Sequence, residues 1–77
     1  MSLTNDKEIM MSLLSDIESK YVLYPNVELL YAYKDLTEQR YTYIRSSHVY
    51  PDVVARFDDI IEKLETRLVS ILEGAQV

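Results

Sequence analysis

Hydrophobic residues along this chain fall into three runs, separated by two Tyr-Pro pairs. The last run is the most regular. From Pro51 to Glu73 the apolar positions are Val53, Val54, Phe57, Ile60, Ile61, Leu64, Leu68, Ile71 and Leu72, and polar residues fill nearly all the rest. Steps of three and four residues mark one face of an amphipathic helix. Pro51 suits a first turn, and Gly74 suits the position just past a helix end. Asp52–Arg56 and Asp59–Lys63 stand four apart in the favourable acid-then-base order. The pattern predicts a helix over about 51–73.

The first run has the same character. Ile9, Met10, Leu13, Leu14, Ile17 and Tyr21 form one stripe, and Asp16 and Lys20 are spaced to pair on the surface. Asn5 followed by Glu8 has the cap-plus-third-position pattern of a helix start. Tyr24-Pro25 ends the run, because a residue preceding proline is pushed out of helical geometry. The predicted helix covers about 5–23.

The middle run is ambiguous. Glu28, Leu29, Leu30, Ala32, Lys34, Leu36, Glu38, Gln39 and Arg40 favour helix. A helical line joins Leu29, Tyr33, Leu36, Arg40, Tyr43 and Ser47, although it includes polar members. The alternative is a hairpin pairing 29–33 with 41–44, both rich in strand-favouring residues. The connection between them, 34–40, contains no Gly, Asn or Pro, so it lacks hairpin signals. The helical reading is preferred, over about 26–47.

Val22-Leu23-Tyr24-Pro25-Asn26-Val27 and Val49-Tyr50-Pro51-Asp52-Val53 echo each other as corners opening the next helix. Each corner tyrosine is suited to packing its ring on a helix junction. The echo does not extend along the helices, so it is reused corner chemistry and not a repeat array. The fold class expected is all-α: one domain, residues 1–77, of three long helices in a small bundle. The middle helix has apolar or amphipathic groups on more than one face, more than one bundle can cover. Two-fold self-association would complete the burial. The alternative architecture is α-β-β-α with a Tyr-rich central hairpin.

Composition narrows the chemistry. The 77 residues include no Cys, one His, one Gly and seven Tyr, and the formal charge is −5. A disulfide framework, a thiol nucleophile and a zinc ribbon are excluded, and one His cannot build a zinc site alone. No Glu-x-x-His pair of the di-iron bundle type occurs. No metal and no cofactor is expected. No stretch approaches the roughly 18 apolar residues of a membrane span. The opening MSLTNDKEIMM is polar and acidic where a secretory signal would be basic, then apolar. A cytoplasmic protein without a membrane partner is the expectation.

The charge is uneven. Residues 1–38 hold three basic and seven acidic groups, and residues 57–77 hold two basic and five acidic. Between them lie Arg40, Arg45 and Arg56 against Asp52 alone, interleaved with Tyr41, Tyr43, His48 and Tyr50. A basic-aromatic segment over 39–56 has the ingredients of an anion or single-strand site, with Arg40, Arg45, His48 and Arg56 as its cations. Three arginines on an acidic chain give little counterion release, so nucleic acid is the lesser reading. Ser46, Ser47, His48 and Asp52 hold the elements of a hydrolytic triad, but no strained turn or Gly-rich oxyanion loop accompanies them. Their simpler role is to end the middle helix. Asp58, Asp59, Glu62 and Glu65 read as a solvated face, although carboxylates also attract divalent cations. Arg40, inside the packed line, calls for a carboxylate partner or a stem that snorkels to water.

These observations point away from an enzyme. They suggest a small acidic protein-interaction module, an adaptor, regulator or inhibitor. Its partner-binding face would comprise Tyr31, Tyr33, Arg40, Tyr41, Tyr43, Arg45 and Tyr50, since tyrosine and arginine are enriched where protein interfaces concentrate their energy. The expected partners are a second copy of the chain and another protein.

Overall fold

The structure, a computed structural model, describes residues 3–75, with side chains for 7–74. Its elements are α1 (Leu3–Lys20), a 3₁₀ turn (Tyr21–Leu23), α2 (Asn26–Ile44) and α3 (Pro51–Ala75). No strand occurs among the described residues, and residues 29–44 lie wholly within α2. The molecule is all-α. None of its described helices is long and apolar enough to cross a membrane.

The apolar spacing of α3 decides the packing. Val53, Phe57, Ile60 and Leu64 are fully buried, and each is three or four residues from the next. Leu14 of α1 and Leu29 and Leu36 of α2 complete the buried core. No polar or charged side chain is buried among the described residues. α1 and α2 both lean on α3, whereas they touch each other little. Lys7 meets Asp52, and Arg67 donates to the Val22 carbonyl, so α1 and α3 run parallel. α2 returns antiparallel to both. Helices arranged this way around one hub give a long, narrow body of about 50 × 21 × 17 Å.

Helix ends follow local chemistry. Tyr24 is extended (φ −71°, ψ 134°), as the following proline demands. Pro25 caps α2, and Pro51 opens α3. Both corner tyrosines, Tyr24 and Tyr50, pack against the core cluster. The corner before α3 is also tied by the Tyr50 N–H, which donates to the Tyr43 hydroxyl at 2.9 Å.

Four local expectations differ from what the fold adopts. α2 stops at Ile44, not near Ser47. The Ser46 hydroxyl donates to the Tyr43 carbonyl at 2.6 Å and so competes for a terminal acceptor of the helix. α1 already includes Asn5, which therefore is not its cap; the Asn5 side chain lies outside the described residues. α3 continues through Gly74 to Ala75, and that glycine does not turn left-handed. Asp52 and Arg56 do not pair with each other. Asp52 binds Lys7 at 2.8 Å and Arg56 turns to Glu18, because partners on α1 come within reach on folding.

Burial also corrects the stripes. Ile9 and Leu13 on α1 and Leu72 on α3 are exposed, while Met10, Leu14, Ile17 and Tyr21 face the core. α1 leans chiefly on α3, so its apolar arc is wider than the surface available to cover it. Phe57→Ala should therefore destabilise the protein by about 3–5 kcal/mol, as cavity-forming aromatic truncations do. Leu72→Ala should stay within about 0.5 kcal/mol. Urea titration followed by circular dichroism measures both.

Candidate functional site

The seven proposed contact residues do not share one face. Tyr33, Tyr43 and Tyr50 are half-buried against the core, and the Tyr43 ring sits 5.9 Å from Phe57 at 41°. Arg40 also turns toward α3, where its Nε donates to Asp58 Oδ1 at 2.6 Å. The carboxylate partner expected for Arg40 is thus on the same chain. Tyr31 and Tyr41 project outward, 73% and 63% exposed. Arg45 joins them: its Nη1 donates to the Tyr41 hydroxyl at 3.1 Å, and its guanidinium carbon lies 5.4 Å from that ring's centroid. Helical geometry explains the split. Tyr33, Arg40 and Tyr43 continue the Leu29–Leu36 side, whereas Tyr31, Tyr41 and Arg45 fall on the opposite arc.

Sequence reasoning missed the apolar neighbours on that outer arc. Val27, Leu30 and Ile44 are all exposed on α2 beside the two tyrosines. They could have been found in the sequence by drawing a second helical stripe through the run already taken as helix.

The cations of the anion-binding alternative are distributed differently. Arg56 grips Glu18 through both guanidinium ends and also donates to Asp59 at 3.3 Å. Lys63 binds the same Glu18 and lies 3.4 Å from Asp59. With Arg40 held by Asp58, two of the three arginines of the basic segment already face carboxylates. Phosphate contacts would have to displace them.

His48 lies at a cleft of about 290 Å³ bordered by Lys7, Met10, Tyr43, Ser46, Ser47 and Tyr50. Ser47 Oγ is 3.3 Å from His48 Nδ1. Asp52 does not orient the ring, because one of its oxygens faces Lys7 and the other accepts from the Val53 N–H. Ser46 Oγ sits within hydrogen-bond reach of the Tyr43 and His48 carbonyls, a turn-forming position. The Ser-His-Asp arrangement needed to activate a nucleophile is not assembled here. Nor does any group of three His, Asp or Glu side chains among the described residues converge as a metal cage would. Of the acidic face, Asp58 and Asp59 are drawn to Arg40, Arg56 and Lys63, while Glu62 and Glu65 remain exposed.

Electrostatics are concentrated where α1 meets α3. The hydrogen bonds from Arg56 and Lys63 hold the Glu18 carboxyl down at about 2, against an ordinary value of 4.5. The same contacts raise Arg56 and Lys63. Lys7 and Asp52 shift in matching directions, up and down, through their mutual hydrogen bond.

Comparison with protein-family models, curated proteins and solved structures returns no match for this chain.

A depressed carboxylate stabilises the fold above its unfolded pKa and loses that contribution as pH falls through its folded one. For Glu18 the loss falls between roughly pH 4.5 and pH 2. Glu18→Gln should lower stability at neutral pH and flatten the decline across that window. Thermal unfolding of both proteins at stepped pH checks it.

Proposed function

We propose that this chain is a small, acidic, non-enzymatic protein-interaction module of the cytoplasm, an adaptor, regulator or inhibitor, that acts through the Tyr/Arg face on the outside of α2. The observation that carries this reading is the exposure of Tyr31 and Tyr41 within a continuous helix whose other tyrosines are packed. Two rings stand in water beside Val27, Leu30 and Ile44, with Arg45 stacked on one of them. Tyrosine and arginine offer large contact area and directed hydrogen bonds, the properties that concentrate binding energy at interface centres. Tyr33, Arg40, Tyr43 and Tyr50 support this face from behind by fixing α2 on α3. Self-association is part of the reading, because covering the outer arc of α2 removes apolar surface that the monomer leaves in water.

The absence of an enzymatic role is also a proposal. It is supported by a His48 whose neighbouring Asp52 is engaged by Lys7, and by the lack of a converging carboxylate or histidine cluster among the described residues. No cofactor enters the reading.

Tyr41→Ala combined with Arg45→Ala should weaken association, with helicity unchanged because both side chains are exposed. Light scattering on a sizing column, with circular dichroism as the folding control, reads both effects. Association equal to wild type would remove this face.

A further inference from the structure

The outer arc of α2 contains an ordered pattern. Val27, Tyr31, Lys34, Glu38, Tyr41 and Arg45 follow one another at steps of four, three, four, three and four, and all six are exposed. These steps average about 3.6 residues, the repeat of the helix itself, so the side chains stay on one seam that another helix can face. At 100° per residue the six span only about 80° of the helix circumference. Arg45, the C-cap, keeps near-helical angles (φ −85°, ψ −2°), so it extends the seam.

The seam is close to palindromic about Leu36, which is buried on the opposite side of the helix. Equal distances from that centre place Tyr31 against Tyr41, and Lys34 against Glu38. An isologous contact brings each residue of a patch onto the matching residue across a two-fold axis. We infer that two copies of this chain associate through antiparallel α2 helices, each Tyr31 beside Tyr41 of the second copy and each Lys34 beside Glu38 of the second copy. This rests on the Tyr/Arg reading above and names its occupant.

Three observations favour a second copy over a foreign chain. First, the two central pairings are complementary to themselves: Tyr31 with Tyr41 and Lys34 with Glu38 each occur twice, aromatic on aromatic and cation on anion, with Val27 facing Arg45 at the ends. Recognition of an unrelated partner requires no such symmetry. Second, Lys34 and Glu38 form no salt bridge among the described residues, although they stand four apart. Their order, base before acid, is the poorer one within a helix. By contrast, Lys7, Arg40, Arg56 and Lys63 are each joined to a carboxylate on another element. Third, α2 is the least charged helix. With Arg45 it holds three acidic and three basic residues, while α1 holds four acidic against two basic and α3 six against three. Two chains of charge −5 repel least when they meet on that element.

Antiparallel packing also sets each helix end against the oppositely charged end of its neighbour. It brings Arg45 to the first turn of α2 of the second copy, which carries Glu28. Nineteen residues are about 28 Å of helix. One such pair covers less than the roughly 1,600 Å² of a standard interface, so the dimer is a dissociable one.

The test is charge exchange in the full chain, read by sedimentation equilibrium over a dilution series. The wild type should pass from dimer to monomer on dilution. K34E and E38K each place like charges at both contacts, and each should raise the dissociation constant at least about tenfold at low salt. Mixing the two single variants should restore association, because opposite charges then meet at both contacts. The K34E/E38K protein should likewise dimerise. Circular dichroism establishes that every variant is helical.

A wild type that stays monomeric overturns the inference, as does a K34E protein with wild-type association or a mixture that remains monomeric. The prior reading separates cleanly from this one. If Tyr41→Ala with Arg45→Ala dissociates the dimer while the charge exchanges do nothing, the Tyr/Arg face stands and the antiparallel register falls. If the double alanine variant stays dimeric, the face itself is wrong.

Discussion

The stripe Val53–Phe57–Ile60–Leu64 on α3 is the surface on which both other helices depend. Four fully buried apolar side chains on one helix, with no buried polar side chain among the described residues, make the core a one-sided affair. α1 and α2 each supply a narrow set of contacts to it and little to each other. In a chain this small the fraction of surface buried is modest, so losing one large member of the stripe removes a sizeable part of a small total. The elongated body follows from the same cause, since helices laid along a hub cannot round up into a sphere.

Charge fixes what the apolar stripe leaves free. An apolar ridge tolerates sliding and rotation, because it is not directional. The ion pairs are directional. Lys7–Asp52 and the Glu18–Arg56–Lys63–Asp59 cluster hold α1 in parallel register on α3, and Arg40–Asp58 holds α2. Partly exposed pairs contribute little stability individually. Their effect here is to choose one alignment. That choice also engages Arg40 and Arg56, two of the four cations of the anion-binding alternative, and among the described residues it leaves the outer arc of α2 free of ion pairs to other elements.

Much of this was legible in the chain. α3 could be read almost residue by residue, because its apolar positions repeat without interruption and proline marks its start. The two Tyr-Pro corners were equally plain, whereas the stripe of α1 was read too wide, since Ile9 and Leu13 are exposed. The Tyr-rich segment was harder, since tyrosine is at home in strands as well as in helices and two stripes run along it. The candidate site was half legible. Tyr31, Tyr41 and Arg45 emerged on the outer face, but Tyr33, Tyr43 and Tyr50 had to be assigned to the core from packing. Val27, Leu30 and Ile44 went unnoticed because only one stripe was sought.

The sequence by itself determined the first and third helices, their approximate limits and the surplus of apolar and tyrosine surface, because periodicity and proline act locally; it favoured a helix over a hairpin for the middle run without deciding between them. Tertiary structure decided the rest. It made α3 the hub, sent Arg56 to Glu18 in place of Asp52, and gave Arg40 a partner on a neighbouring helix. It also divided the tyrosines between core and solvent. Those outcomes depend on which faces meet across 18 to 45 residues of chain. Spacing along a helix says which residues share a face, but only packing says which face is covered.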